Sequence, residues 1–237
     1  MKEEQLFENL YATYTDGGLR TRLYCLHKKL AWRTVVGGTE FLKRTLDIAV
    51  SLLSLVLLAP LFALVALLIR LESAGPVLFT QTRVGRWGRV FKMYKFRSMV
   101  MNAEKLLAQL KPQNDSGAGV IFKMKQDPRI TRIGSLIRKT SIDELPQLWN
   151  VLRGEMSLVG PRPALPGEVA EYTLDDRRRL DAVPGITCIW QVSGRSNIDF
   201  KGQVRLDAQY IESRSFRLDV VLLLKTIPAV LFGKGAY

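Results

Sequence analysis

Two acidic side chains, Asp143 and Glu144, stand side by side in the stretch from Arg138 to Pro163, with Arg138 and Lys139 before them and Arg162 after them, between Pro161 and Pro163. Adjacent carboxylates among fixed cations suit phosphate chemistry. Guanidinium and ammonium groups meet the charge on nonbridging oxygens, and a carboxylate can hold a hard ion such as Mg²⁺ or attack phosphorus to give an acyl phosphate. The residues alone leave these carboxylate roles open. A histidine-based nucleophile would depend on one residue, His27, in the basic N-terminal region. Cys25 and Cys188 fit neither a disulfide framework nor a zinc spacing, so a reducing, cytosol-facing location is the default.

Several elements must position this pair. Ser141 with Glu144 has capping-box spacing, whereas Asp143 as cap would put Pro146 at the third helical position, where no N–H bond is lost. Either choice places both carboxylates in the first turn of a helix with an apolar face of Leu148, Trp149, Val151 and Leu152. There the helix dipole favours an ionised carboxylate and an approaching phosphate alike. Met156–Val159 reads as a buried strand leading to Pro161-Arg162-Pro163, where two prolines reduce the entropy lost when Arg162 grips an anion. Upstream, Val77–Phe79 and Val90–Phe96 read as strands around a loop, Gln81–Arg89, that carries three arginines and two glycines. Such a loop can present guanidiniums and backbone amides to an anion, and a solvated basic hairpin would show the same pattern. Lys95 and Arg97 continue the basic wall.

Asn102 can cap a helix to about Leu110, and Lys111–Gly119 is the polar loop expected to move most. A turn at Asp127-Pro128-Arg129 precedes a short helix, Ile133–Arg138. Downstream, a helix runs from Pro166 through Leu180, ending in Arg177–Arg179 as a solvated or lipid-facing cluster. A turn at Pro184–Thr187, a short strand Ile189–Val192, a loop at Gly194-Arg195 and an apolar helix Asp219–Phe232 follow. The fold class expected is α+β, mostly helical, with one short-stranded element.

The remaining signal is a membrane segment. From Ile48 to Ile69 about 22 residues carry no charge, enough for roughly 33 Å of helix against a hydrocarbon core of roughly 30 Å. Lys43 and Arg44 flank one end and Arg70 the other, so both ends look cytoplasmic. Pro60 falls near the middle, where it removes a helical hydrogen bond, and the Ser51 and Ser54 hydroxyls could satisfy freed carbonyls. Two arrangements fit: a kinked helix that enters and leaves by one face, and a spanning helix with a tolerated proline. Before this segment, residues 1–40 contain no signal-peptide core, have Gly17-Gly18 and Gly37-Gly38 as breaks, and carry basic residues from Arg20 to Arg33 that fit an amphipathic helix on anionic lipid and a solvated lead-in helix equally. The domains expected are a lead-in at 1–40, a membrane helix at 41–72 and a catalytic domain at 73–237. With 35 Lys and Arg against 22 Asp and Glu and a net charge of +13, the chain calls for an anionic partner. Nucleic acid is the least suited, because a basic protein with an apolar anchor seldom needs one.

The sequence resembles the bacterial sugar transferase family, the monotopic phosphoglycosyl transferases. The resemblance rests on Lys43-Arg44 with Asp47; Gly75-Pro76-Val77, Phe79, Gln81, Arg83, Gly85 and Gly88; and Lys95-Phe96-Arg97-Ser98-Met99. It continues through Asp127, Arg129, Thr131 and Gly134; Arg138–Ser141; Asp143–Gln147 with Asn150; Gly154, Met156-Ser157 and Val159–Pro163; Pro184–Thr187, Trp190-Gln191 and Ser193–Arg195. It runs from about Phe41 to the C-terminus.

The resemblance implies a reentrant helix broken at Pro60 and a monotopic enzyme on the cytoplasmic face of the bacterial inner membrane. It implies transfer of a sugar 1-phosphate from a nucleotide diphosphate sugar, a UDP-sugar foremost, to polyprenyl (undecaprenyl) phosphate, the first membrane step of glycoconjugate or exopolysaccharide assembly. Asp143 would be the nucleophile of a ping-pong path, Glu144 would assist, and Mg²⁺ would sit against both. Lys95, Arg97, Arg129 and Arg138 map onto the family's basic pocket, and Pro161-Arg162-Pro163 onto its nucleotide side. Two departures, Cys188 for a common glycine and Arg214-Ser215 for Trp-Ser, are expected away from the dyad and bear on donor choice. A noncatalytic adaptor on anionic lipid and a ternary-complex transferase with carboxylates as metal ligands only are the alternatives. A homo-oligomer is compatible with all of these.

Overall fold

The computed structural model describes residues 19–110, 124, 127–194 and 198–231. The loop expected at Lys111–Gly119 and Arg195 lie outside them. The chain forms two units, residues 1–46 and 47–237.

The described part of the first unit belongs to a long helix, α1 (Leu19–Leu57). Gly37-Gly38, expected as a break, is helical instead, and no heavy atom approaches where a Cβ would stand. Each glycine costs roughly 1 kcal/mol of helix propensity, which the flanking helix-forming residues carry. Leu23, Tyr24 and Leu26 are exposed, and Lys28 Nζ lies 4.8 Å over the Tyr24 ring.

Within the second unit α1 stops at Leu57, and α2 (Ala59–Glu72) departs at 60°. Pro60 explains the bend: it has no N–H for the Val56 carbonyl, and its ring would strike that carbonyl in a straight helix. Leu58 N–H to Ser54 O and Phe62 N–H to Leu58 O, both 2.9 Å, preserve the ladder on either side. Support from Ser51 is not found, for its buried Oγ has no hydrogen-bond partner. Among the described residues no single helix is long and apolar enough to cross a membrane, and the bent pair passes that test of length and composition only when taken together. Leu52, Leu53, Val56 and Leu57 on α1, and Leu64, Leu67 and Leu71 on α2, are exposed.

After α2 comes an antiparallel hairpin, β1 (Leu78–Val84) and β2 (Val90–Phe96), in register from Leu78 opposite Phe96 to Val84 opposite Val90. β2 has its expected bounds. β1 is longer than expected and absorbs Gln81–Arg83, because cross-strand pairing satisfies backbone groups that a loop would leave to water. The loop shrinks to Gly85–Arg89, with Trp87 in the left-handed region (φ 58°).

The chain continues through α3 (Ala103–Leu110), α4 (Arg132–Lys139), a 3-10 turn (Ile142–Glu144), α5 (Gln147–Leu152) and β3 (Ser157–Val159). The helix expected from Pro166 to Leu180 is interrupted: α6 spans Pro166–Ala170, and a 3-10 segment, Asp176–Asp181, restarts after the Asp176 carboxylate accepts from Thr173 N and Oγ1. Residues Gly185–Thr187, expected as a turn, form β4, parallel to β3 with Gly185 opposite Ser157 and Thr187 opposite Val159. Residues Ile189–Ser193 form a helix, α7, where a strand was expected, since so short an apolar run has no readable period. α8 (Phe200–Ser213) and α9 (Phe216–Leu231) complete the described chain.

One core gathers Met93, Leu148, Val151, Met156, Leu158, Val159, Tyr210 and Leu222, with Val50 and Leu55 of α1 packed against it. A second joins Val65 and Ile69 of α2 to Phe96 and Ile137. The apolar helices are thus bonded by packing to the strands and helices that carry the dyad. Asp47 strengthens the join: its buried carboxylate accepts from Leu158 N at 2.9 Å.

Candidate active site

α4 leads the chain to the dyad. Thr131 caps it by accepting from Gly134 N at 2.9 Å, and the Glu72 carboxylate at the end of α2 accepts from Arg132 N at 2.7 Å. Thr140 follows at φ −96° and Ser141 at φ 56°, a left-handed serine that turns the chain back sharply. A non-glycine residue there stores of order 1 kcal/mol, a cost found at functional turns.

The dyad sits in the 3-10 turn, not in the first turn of an α-helix. Neither Ser141 nor Asp143 caps a helix; α5 starts at Gln147, after Pro146. Pro146 has no N–H for the Ile142 carbonyl, so Leu145 N–H takes it at 3.2 Å and the turn tightens. α5 buries Leu148 and Val151 as expected, but also Gln147 and Asn150, while Trp149 is exposed. Asn150 explains this. It accepts from Tyr94 N at 3.1 Å and donates to Lys92 O at 2.8 Å and Glu155 Oε2 at 2.7 Å, clamping α5 to β2.

With α5 so short, side chains set the charge state of the dyad. Lys95 on β2 reaches Glu144 Oε1 at 2.6 Å. Burial would raise Glu144, yet Lys95 first, then Arg162 and Arg83, hold its carboxyl below the usual range. Asp143 is 8% exposed, and burial pushes it up to about 6, against the pull of Lys95 and Arg138 and with the push of Glu144. One carboxylate is therefore fixed and ionised, and its neighbour is desolvated and proton-binding near neutrality.

A cleft opens beside them, lined by Glu144 and Gln147, Lys95 and Met93 of β2, Arg83 of β1, Arg162-Pro163, and Gly185, Ile186 and Gln191. Asp143 does not line it. Arg83, expected among three arginines on an anion-presenting loop, stands instead on strand β1. It is buried, donates through Nη1 to Pro163 O at 2.9 Å and through Nη2 to Gln81 Oε1 at 2.6 Å, and so ties the Pro-Arg-Pro loop to β1. Burial, reinforced by Arg162, pushes it down to about 10. Its signal was alternation through Gln81, Arg83 and Gly85, obscured by reading a loop there. Gln191 was hidden by the expected strand at 189–192. Pro161 and Pro163 are buried, and Arg162, half-buried between them, lies 6.0 Å from the Trp190 ring centre.

The remaining residues expected at the site are placed differently. Arg97 spends its guanidinium on Ala74 O, Ser73 O and Ser73 Oγ at 2.7–2.9 Å, holding the chain between α2 and β1. Arg129 pairs with Asp127, Nη2 to Oδ2 at 2.5 Å. Neither lines the cleft. Arg138 lies where its charge lowers both Asp127 and Asp143. Arg179, expected in a solvated cluster, is buried against Asp207. Cys188, expected away from the dyad's surroundings, is fully buried and donates to Gln191 Oε1 at 3.1 Å, so it touches the cleft wall indirectly.

A cage of three or more His, Cys, Asp or Glu side chains is absent among the described residues. Mg²⁺ does not need one: it keeps several waters and takes one or two carboxylates together with substrate phosphates. Asp143 and Glu144, adjacent on one tight turn, fit that donor set.

The sequence model of the bacterial sugar transferase family matches residues 38–233. The chain is 48% identical over 195 residues to the galactosyl transferase CpsE of Streptococcus agalactiae, covering 82% of this chain and 43% of that protein. It is 45% identical over 204 residues to the undecaprenyl-phosphate galactose phosphotransferase of Salmonella typhimurium, covering 84% and 42%. It is 38% identical over 205 residues to the exopolysaccharide production protein ExoY of Sinorhizobium fredii, covering 85% and 90%. The chain thus spans less than half the length of the first two and most of the third. A family match that begins within α1 and runs through α9, taking in Pro60, the dyad and the Pro-Arg-Pro loop, means that this protein belongs to the bacterial sugar transferase family.

Proposed function

We propose that this protein transfers a sugar 1-phosphate from a nucleotide diphosphate sugar, preferentially a UDP-sugar, to polyprenyl phosphate. The observation that carries the reading is the convergence of Lys95, Arg83 and Arg162 on one cleft beside the Asp143-Glu144 turn. Three cations suit a diphosphate, whose charge must be neutralised before an anion can attack phosphorus. Asp143 is the nucleophile: its carboxylate attacks the phosphorus bearing the sugar, the bond to the second phosphate breaks, and a nucleoside monophosphate leaves. An oxygen of polyprenyl phosphate then attacks the same phosphorus and releases Asp143. The two carboxylates differ in the sense this needs, since Asp143 is desolvated and Glu144 is held by Lys95. Glu144 positions the donor or moves a proton. Mg²⁺, when bound by Asp143 and Glu144, supplies further neutralisation of the diphosphate.

The acceptor assignment draws on relatives named for undecaprenyl phosphate, and the donor sugar varies among those names: galactose, glucose and N-acetylgalactosamine. The exposed leucines of α1 and α2 support burial of the bent pair in one leaflet, with both ends on the cytoplasmic face of the inner membrane and the basic surface against anionic lipid.

Incubation of the full chain with UDP-sugars labelled in the sugar phosphate tests the reaction. The unaltered protein is expected to release UMP and retain label, and Asp143→Asn to do neither. Label retained by Asp143→Asn would remove Asp143 as nucleophile. Intersecting initial-rate lines would favour direct transfer in a ternary complex. UMP release by no donor, with liposome binding intact in both proteins, would favour the noncatalytic adaptor.

A further inference from the structure

Two carboxamides on α5 are buried, and the fold uses them differently. Asn150 has its amide fully engaged: Oδ1 accepts from Tyr94 N, and Nδ2 donates to Lys92 O and Glu155 Oε2. Gln147, one turn earlier and 3% exposed, makes no side-chain hydrogen bond among the described residues, and its side chain lines the cleft with Glu144 and Lys95. Its amide is not sealed in the core, so it opens to the cleft, where only solvent or a ligand can satisfy it. A buried amide with no protein partner adds nothing to the fold that an aliphatic side chain would not, as Leu148 and Val151 beside it illustrate.

A second carboxamide lines the same cleft from α7. Gln191 Oε1 accepts from the buried Cys188 thiol at 3.1 Å, which leaves its NH2 without a partner among the described residues. Burial pushes Cys188 well above the ordinary thiol value, so the thiol keeps its proton and is the donor in that bond. The cleft therefore holds one amide free at both ends and one free only to donate.

We infer that Gln147 and Gln191 contact the hydroxyls of the donor's sugar ring and set which sugar the cleft accepts. The diphosphate does not call for them. Arg83, Lys95 and Arg162 line the same cleft, and a charged donor bonds a phosphate oxygen more strongly than a neutral amide does. A phosphate oxygen cannot satisfy the Gln147 carbonyl, since both only accept, whereas a hydroxyl donates and accepts and so meets both ends of the amide. Position agrees. The phosphorus that Asp143 attacks carries the sugar, so the sugar begins one bridging oxygen away from the reacting atom, and Gln147 opens α5 directly after the dyad's turn. The inference rests on the proposed reaction, and it assigns residues to the donor's uncharged half, which the cations cannot recognise.

The test crosses protein variants with donors that lack single hydroxyls, using the full chain in nanodiscs with undecaprenyl phosphate. UDP-galactose, UDP-glucose and UDP-N-acetylgalactosamine are compared first, and the best of them is then supplied as its monodeoxy derivatives. Gln147→Met nearly keeps the volume and removes the amide. It is expected to lower kcat/KM for the best donor about tenfold, to leave calorimetric UDP affinity within about twofold, and to melt no lower than the native chain. Removing the hydroxyl that Gln147 meets is expected to cost the native chain about tenfold and the variant less than about twofold. Gln191→Met is expected to show the same pattern at its own hydroxyl, and it decides if Gln147→Met does not fold. UDP affinity that falls as far as kcat/KM, or deoxygenation losses equal in native chain and variant at every position, would overturn the inference while leaving the reaction standing. UMP release from none of the donors by the native chain would end both.

Discussion

Asp143 holds its proton more tightly in the fold than out of it, and that has a cost which can be measured. Its folded value is about 6 against 3.8 for the free side chain. A raised carboxyl leaves stability untouched below the unfolded value and removes it as pH climbs through the folded one, up to about 3 kcal/mol. Asp143→Asn is accordingly expected to melt several degrees higher than the native chain at pH 8, and at about the same temperature at pH 4. A denaturation series across that window checks it. An inactive but stabler variant is what a desolvated reactive group predicts. Lys95 gives a second handle. It is the largest charged influence lowering both members of the dyad, so Lys95→Met is expected to move the acid limb of the kcat/KM profile to higher pH than in the native chain. An unmoved limb would mean that the limb belongs to another group. The spacing of acids and bases made the pair visible in the sequence. The difference between its two carboxylates was not visible, because burial of Asp143 and the reach of Lys95 depend on β2 lying across the turn.

At the scale of elements, prolines and glycines decide where chains turn and how closely they approach. Pro60 and Pro146 act alike: each withholds an N–H, and in each case the helix restarts after a bend or a tight turn. Gly185 does something different. A Cβ there would stand 2.0 Å from Gly160 N and 2.6 Å from Val159 C, both backbone atoms of the neighbouring strand region. Backbone held by the β3–β4 pairing cannot retreat, so Gly185→Ala is expected to cost several kcal/mol and to displace the Arg162 loop. Chemical denaturation checks the first effect and loss of UDP binding the second. The strands at 78–84 and 185–187 and the helix at 189–193 were misread or shortened from sequence for two reasons. The segments at 185–187 and 189–193 are brief, and the strand beside the first is distant along the chain, so local periodicity carried too little to outweigh Gly185; β1 pairs with the adjacent β2, and there Gly85, Gly88 and three arginines gave its second half the look of a loop.

The whole molecule joins an apolar bent helix pair to a cationic cleft through shared cores rather than a flexible linker. Val65 and Ile69 pack on Phe96, next to Lys95, and Val50 and Leu55 pack on the core beneath α5. A lipid phosphate brought in along the helices would arrive with the cleft already fixed in place. Single cysteines at Lys43 and Arg70, in a chain with Cys25 and Cys188 replaced, are expected to be labelled from the same side of inverted vesicles. Labelling from opposite sides would restore a spanning helix.

Composition and spacing by themselves pointed to an apolar segment suited to a membrane, to an anionic partner and to the Asp143-Glu144 pair, without choosing among the cations around it: Lys95, Arg97, Arg129, Arg138 and Arg162 looked alike. Those conclusions rest on counts of charge, a charge-free run and residue types, none of which needs coordinates. Only the tertiary structure decided which cations face the dyad. Arg97 and Arg129 satisfy internal acceptors away from the cleft, whereas Arg83, also bonded to internal acceptors, lines it together with Gln191. A guanidinium looks the same in sequence whether its partner is a carbonyl, a carboxylate or a substrate. The choice among them is made by packing between residues far apart in the chain.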